Sequence, residues 1–204
     1  MHAASGGGGF FDVERHEPPP QPELPPTPPW IQSPRDELPG RVVLDEVLFR
    51  SEHAVLVLRE VRRFSIGIEV RLAWFARSAG MSTAEWDELM QSVLGWHGPT
   101  EGERTLRVGM RLPDGTPLLP LHLMTAAHDP GAVAPPSLMS GHGGSSGGPE
   151  GYEGKFTAWL WWPERPAGDL ELVAECRGLE IPELSHRIPA DVLAELPAPR
   201  ALWD

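Results

Sequence analysis

The stretch FSIGIEVRLAWFA, residues 64–76, decides the fold class because its apolar and polar side chains alternate with a period of two. This period is typical of a β-strand with one face in a hydrophobic core. The apolar face carries Ile66, Ile68, Val70, Leu72 and Trp74. Glu69 and Arg71 fall on the other face, which we expect to be a solvated charged face. Burial of one face is typical of antiparallel sheets that have one side in water.

The same alternation recurs on both sides of this stretch. It covers residues 41–49, 54–59, 105–112 and 170–176. In the last two segments Arg107, Arg111, Glu171 and Glu175 take the polar positions. These charges could pair across neighbouring strands, but a solvated face is the interpretation we favour. Strand-rich segments separated by turn signals predict an all-β fold, an antiparallel β-sandwich of about eight strands.

Two helices are predicted within this series of strands. Ser82 and Glu85 form an S-x-x-E capping box, and apolar residues then recur at helical spacing as far as Trp96. We therefore expect one inserted helix over 82–96. A short C-terminal helix is expected after Pro189, with Leu193 and Leu196 facing the core.

Two segments have the composition of unfolded chain. Residues 1–40 contain the run Gly6–Gly9 and ten prolines between positions 18 and 39, which predicts a disordered tail with polyproline spacing. Phe10, Phe11 and Trp30 are its only candidates for attachment to the body. Residues 126–154 contain eight glycines and four prolines, which predicts a disordered loop. The chain is thus expected to be one domain, 41–204, behind a tail.

The net charge and the cysteine content argue against several classes of function. The 204 residues carry a formal charge of −12, which argues against nucleic-acid binding and against docking on anionic membranes. No apolar run is long enough to span a bilayer, and the stretch MHAASGGGGFFDVERHE has no signal-peptide pattern. We therefore expect a cytoplasmic protein. Its single cysteine, Cys176, is expected to be a small buried hydrophobe.

Residues 41–204 resemble a group of uncharacterised all-β proteins encoded in high-GC genomes. The resemblance rests on the early strand pairs, the PDG turn at Pro113–Gly115, the glycine-rich stretch Gly141–Gly148, the strand end Trp162–Pro163 and the closing segment LELVAECRGLEIPE, residues 170–183. Sixteen arginines against one lysine, Lys155, agree with such a genome. The group has no assigned activity, so the resemblance implies an all-β fold and supplies no catalytic residue.

The glycine- and serine-rich stretch matches a hydrolase motif in sequence but lacks the structural context that the motif requires. Gly143–Gly147 matches G-x-S-x-G around Ser145, the next frame matches it around Ser146, and Asp169 and His186 follow in triad order. A serine nucleophile of this type needs a turn between a strand and a helix, whereas the flanking residues are typical of a loop. We expect both serines to be catalytically silent. A hydrolase that uses the 137–148 loop remains the alternative.

Histidine and aromatic residues supply the other candidates. The spacing of His122, His128 and His142 matches no tight ligand pair, so neither a metal nor a cofactor is expected.

The segment KFTAWLWW, residues 155–162, is apolar on both faces. It is either a central strand buried on both sides, which we favour, or a strand whose Trp159 and Trp161 form a binding platform. The candidate binding residues are Trp159, Trp161, Tyr152 and His142.

The function expected from the sequence is a non-catalytic binding or assembly module. It would take a protein partner or associate with itself. A structural subunit of a larger assembly is a further alternative.

Overall fold

The computed structural model describes residues 26–94, 104–122, 130–164 and 168–203. Eleven strands and two α-helices lie in these ranges. In chain order they are β1 Glu37–Leu38, β2 Gly40–Arg50, β3 Ala54–Phe64, β4 Gly67–Arg77, α1 Thr83–Leu94, β5 Arg107–Arg111, β6 Pro117–Leu118, β7 Ser137–Gly147, β8 Gly151–Trp161, β9 Leu170–Cys176, β10 Ile181–Ile188, α2 Ala190–Glu195 and β11 Arg200–Ala201.

Two antiparallel sheets form a sandwich. The five-stranded sheet has the order β2-β3-β4-β8-β7, and the four-stranded sheet has the order β10-β9-β5-β6. A separate two-stranded ribbon pairs β1 with β11. The main core lies between the large sheets and includes Leu56, Leu72 and Leu160 from the first and Met110 and Leu172 from the second. Full burial of each such side chain contributes about 1.5–3 kcal/mol. The predicted antiparallel all-β fold is confirmed.

The central strand starts later than the sequence predicts. Residues 64–76 do not form one strand, because Phe64 ends β3 and a tight turn at Ser65 and Ile66 leads into β4. The carboxylate of Glu37 fixes this turn by accepting hydrogen bonds from the backbone N–H of Ser65, at 2.9 Å, and from its hydroxyl. From Gly67 onward the predicted alternation holds.

Helix α1 begins at the predicted capping box. The backbone N–H of Ser82 donates to Glu85 Oε2 at 2.9 Å, and the N–H of Glu85 donates back to Ser82 Oγ at 3.3 Å. The hydroxyl of Ser82 also donates to Glu85 Oε2, at 2.7 Å, and this bond together with that from the Ser82 backbone N–H holds the pKa of Glu85 below its usual range. Trp86 is buried, and its indole N–H donates to the carbonyl oxygen of Gly148 at 3.0 Å. The helix is thereby attached to the β7–β8 hairpin. Residues 95 and 96 of the predicted helix lie outside the described residues.

The short C-terminal helix α2 also forms where it is predicted. It follows Pro189, and both Leu193 and Leu196 are buried in the main core. Asp169 Oδ1 accepts the N–H of Ala190 at 2.9 Å. This hydrogen bond satisfies one of the free donors in the first turn of the helix.

The prediction of a disordered tail over residues 1–40 is corrected for its second part, residues 26–40. From Pro26 onward the chain is described, and residues 28–34 form a segment that crosses the outer face of the five-stranded sheet; we call it the N-terminal strap. Trp30 is only 1% exposed and packs with Phe64, Met139 and Trp159 in a second apolar cluster. Burial of a large indole outweighs the polyproline character of its neighbours. Phe10 and Phe11 lie outside the described residues.

The expected loop over residues 126–154 is corrected as well. Ser137–Gly147 is strand β7, and β8 already begins at Gly151. The glycines and serines of β7 have little strand propensity of their own, but the apolar strand β8 pairs with them from Ser137 to Gly147. Strand pairing and tertiary contacts therefore override local preference here. Residues 123–129 lie outside the described part.

The charged faces are paired rather than merely solvated. Arg107 contacts Glu175 at 2.8 Å, and Arg111 contacts Glu171 at 2.8 Å, in each case across the β5–β9 ladder. On β4, Glu69 is 5% exposed, and its carboxylate accepts hydrogen bonds from Arg71 and from Ser33 of the strap. A buried carboxylate is tolerated only with such partners.

No helix among the described residues has both the length and the apolar character that a membrane crossing requires.

Candidate functional site

Strand β7 lies at one margin of the five-stranded sheet, and half of its backbone groups face away from β8. The carbonyl oxygen of Leu138 accepts the N–H of Leu121 at 2.8 Å, so it points away from the sheet. Along a strand these directions alternate with a period of two. The N–H and C=O groups of Ser140 and His142 therefore also point outward. Among the described residues, Pro120 forms an isolated parallel bridge with Leu138 on this side of β7.

A cleft of about 690 Å³ opens beside these groups, at the side of the sandwich where β5 and β6 face β7. This volume lies within the usual range for ligand-binding clefts. The floor is apolar and includes the buried side chains of Val108, Met110 and Phe156. Leu118 and Leu119 form part of the rim, and Leu119 is 74% exposed. The cleft thus combines an apolar floor with an exposed apolar rim.

The ring of His142 stands at the mouth of this cleft. It meets the ring of Phe156 edge-on, with centroids 5.2 Å apart, so it lies on the core side of β7. The side chain is exposed on one side only, and burial on the other lowers its pKa. The neutral imidazole, which can donate and accept one hydrogen bond each, is favoured at neutral pH.

Two arginines and two glutamates are among the lining residues of the cleft. Arg107 pairs with the lining residue Glu175 at 2.8 Å, and Arg111 pairs at 2.8 Å with Glu171, which is not a lining residue. The strand register places Glu183 on the side of Glu175 rather than of Arg111. The floor itself is apolar, so it suits an uncharged side chain better than a charged one.

A second, smaller hollow of about 360 Å³ lies on the other side of β7, between this strand and the N-terminal strap. Its lining includes Gln32 and Ser33 of the strap, Thr157 of β8 and the backbone of Gly141 and Gly143. Ile31, Met139, Trp159 and the carboxylate-bearing Glu69 also line it. The β7 backbone from Ser140 to His142 is therefore flanked by an apolar cleft on the core side and by a hollow of mixed polarity on the outer side.

The predicted binding residues do not form one surface. Trp159 is 2% exposed in the second cluster, as expected for a strand that is buried on both sides. Trp161 is half-buried against the same cluster. Tyr152 is half-buried and lies 6.0 Å from the ring of Trp86. Of the four, His142 alone lines the cleft.

The hydrolase residues are held apart by other contacts. Ser145 and Ser146 lie within strand β7 rather than at a turn between strand and helix. Asp169 contacts Arg187 at 2.6 Å, and His186 lies 3.2 Å from Glu46. Of the three histidines considered as ligands, His122 and His142 both line the cleft, and His128 lies outside the described residues. The described ranges hold no group of three side chains that could ligate a metal.

Sequence reasoning missed Ser140, Leu118 and Leu119 as parts of a site. A weak signal was present, because the run PLLPLHLM, residues 117–124, is apolar and interrupted by Pro117 and Pro120. Proline limits such a run to short or marginal strands. The cleft itself arises from the spacing between two sheets, which no local pattern encodes.

Comparison of the chain with protein-family models, curated proteins and solved structures finds no match. The geometry of the β7 margin therefore carries the functional argument.

Proposed function

We propose that this protein is a non-catalytic, cytoplasmic binding module that takes an extended segment of a partner protein as an additional strand along β7. The observation that carries the proposal is the hydrogen bond from Leu121 to the outward carbonyl of Leu138. By the alternation along a strand, the backbone groups of Ser140 and His142, two lining residues of the cleft, face the same way. In strand addition, main-chain hydrogen bonds supply affinity and pockets for alternate side chains supply specificity.

The other sheet margins support the choice of β7. Strand β2 presents Arg41, Asp45 and Glu46, and β10 presents Pro182 and Glu183. Charged residues and proline are the usual means by which proteins protect a sheet margin from pairing. The sequence of β7, SLMSGHGGSSG, contains neither. This margin is therefore the one that the chain leaves unprotected among its described long strands.

The net charge of −12 supports a protein partner with a neutral or basic surface. A negatively charged chain repels phosphate backbones, whereas it attracts basic segments at long range and speeds their association.

The proposal is tested with an array of random nine-residue synthetic peptides, probed with the full chain and with two variants at one position. Ser140→Pro removes the outward N–H but no hydrogen bond to β8, so the sheet should be retained. Ser140→Ala removes the same hydroxyl and keeps the N–H. We expect the wild type and Ser140→Ala to bind the same spots and Ser140→Pro to lose them.

Thermal melting of Ser140→Pro, close to that of the wild type, provides the control for folding. An array without bound spots, or one on which Ser140→Pro binds as strongly as Ser140→Ala, would overturn the proposal.

A further inference from the structure

We infer that the bound segment carries two leucine-sized apolar side chains, two residues apart, which enter the cleft together, with a polar residue between them. The inference rests on the proposed function and specifies the partner of the same site.

The direction of the guest's side chains follows from the backbone of β7. Guest residues that exchange hydrogen bonds with Ser140 and His142 lie directly opposite them, and in a sheet such paired residues project their side chains to the same face. For His142 that face is the core side, because its ring contacts Phe156. Two alternate guest residues therefore point into the cleft.

The cleft selects apolar side chains at these two positions. Its floor includes the buried side chains of Val108, Met110 and Phe156. A charged guest residue would lose hydration against this apolar floor. Leu119 on the rim, 74% exposed, would be covered by such a guest.

The residue between the two apolar side chains faces the outer hollow. Its polar neighbours there include Gln32, Thr157 and Ser33, whose hydroxyl donates to Glu69 at 3.0 Å. Gly141 leaves space beside it, because a Cβ on this glycine would have no neighbour within 4 Å. A small polar side chain such as threonine fits these surroundings.

A second copy of this chain fits the site less well. A copy of β7 would present Ser140 and His142 to the cleft, and neither fills an apolar space. The strand's first residues are also occupied, because Leu121 already bonds Leu138. The guest is therefore a short segment of a different protein, which pairs with β7 beyond Leu138.

The test uses two isomeric peptides, acetylated and amidated, with the full chain. The first is Lys-Thr-Leu-Thr-Leu-Thr-Lys, whose leucines share one face of a strand. The second is Lys-Thr-Thr-Leu-Leu-Thr-Lys, whose leucines lie on opposite faces. The pattern predicts at least about tenfold tighter binding of the first peptide by calorimetry, since the isomer can bury one leucine only.

Backbone methylation tests the ladder independently of the side chains. In the first peptide the leucine N–H groups face β7, and the N–H of the central threonine faces away. N-methylation of both leucines should abolish binding. N-methylation of the central threonine should change the affinity by less than about threefold.

Two exposed leucines provide matched variants of the protein. Leu119→Ser removes the rim contact and should weaken binding of the first peptide several-fold. Leu202→Ser removes an exposed leucine on the chain segment after β11 and should leave the affinity unchanged. Neither change should alter melting, because both side chains are exposed.

The failures can be told apart. Equal binding of the two isomers, or a wild-type affinity of Leu119→Ser, overturns the pattern inferred here even if the array shows binding that depends on Ser140. Loss of that dependence overturns the proposed function itself. Pairing of the chain with itself in sedimentation experiments, abolished by Ser140→Pro, would identify a second copy as the occupant and overturn the inference.

Discussion

The indole N–H of Trp159 donates a hydrogen bond of 2.9 Å to the carbonyl oxygen of Pro29. A side chain near the C-terminal end of β8 is thus fixed by the backbone of the N-terminal strap. Trp30, the next residue, is 1% exposed, and Phe64 meets Trp159 edge-on at 5.6 Å. The strap is therefore part of the folded body, although its sequence is rich in proline.

Removal of the strap should destabilise the protein. Trp30→Ala deletes a fully buried indole, so we expect the free energy of unfolding to fall by about 3–5 kcal/mol in urea titrations. A chain that starts at Pro26 should retain wild-type stability, whereas a chain that starts at Leu38 should lose at least as much as Trp30→Ala. Equal midpoints for the two shortened chains would contradict this role.

The two tryptophans of β8 should differ in their contribution to stability. Trp159→Ala removes a buried ring and its hydrogen bond, with an expected cost of about 3–5 kcal/mol. Trp161 is half-buried, so Trp161→Ala should cost less than half as much. Denaturant titration of both variants is the measurement. If Trp161→Ala lost more free energy of unfolding than Trp159→Ala, the conclusion that Trp159 contributes most to the second cluster would be wrong.

Two glycines on neighbouring strands should respond in opposite ways to one added methyl group. A Cβ on Gly154 would lie 2.1 Å from the ring of Trp74, whereas a Cβ on Gly141 has no neighbour within 4 Å. Gly154→Ala should therefore cost at least about 1–3 kcal/mol through overpacking. Gly141→Ala should be neutral or slightly stabilising. Similar melting of both variants would show that the Trp74 ring can move aside.

The histidine at the cleft should make stability depend on pH. Its pKa is lowered in the fold, so below about pH 6.5 the unfolded chain binds more protons than the folded one. The contribution of His142 is therefore present above that pH and is lost as the pH falls through the window between the two pKa values. His142→Gln should abolish this part of the slope, and Ser146→Ala should retain it. Identical pH profiles for wild type and His142→Gln would contradict the assignment.

The thiol of Cys176 should be inert in the folded protein. It lies in the main core, and burial raises its pKa to about 11. Labelling by iodoacetamide at pH 8 should be slow and should accelerate with urea in parallel with unfolding. Fast labelling of the native protein, at the rate of a free thiol, would be inconsistent with this burial.

The parts of the fold that were predictable are those in which side-chain pattern and environment agree. Leu170–Cys176 alternates, and it forms β9 with the predicted bounds. Ser82 and Glu85 start α1 as their capping box indicates. In each case a few neighbouring residues contain the whole signal.

The parts that were missed depend on residues distant in the chain. Ser137–Gly147 is a strand because β8 pairs with it. The second half of this segment has no apolar pattern that would predict a strand. Trp30 was among three candidates for attachment to the body, but its burial depends on Trp159, which lies beneath the strap and 129 residues further along the chain. The cleft likewise needs Met110 and Phe156 from different sheets. Local pattern cannot report such pairings.

The pairing of β4 with β8 has a consequence for synthesis of the chain. Residues 67–77 are made early, but their partner is residues 151–161. At about 5–20 residues per second, a ribosome needs several seconds to supply that partner. During this interval the nascent β2–β3–β4 hairpins present an uncovered, apolar β4 to their surroundings. We therefore expect the nascent chain to be most prone to aggregation, and to benefit most from chaperone binding, before β8 leaves the ribosomal exit tunnel.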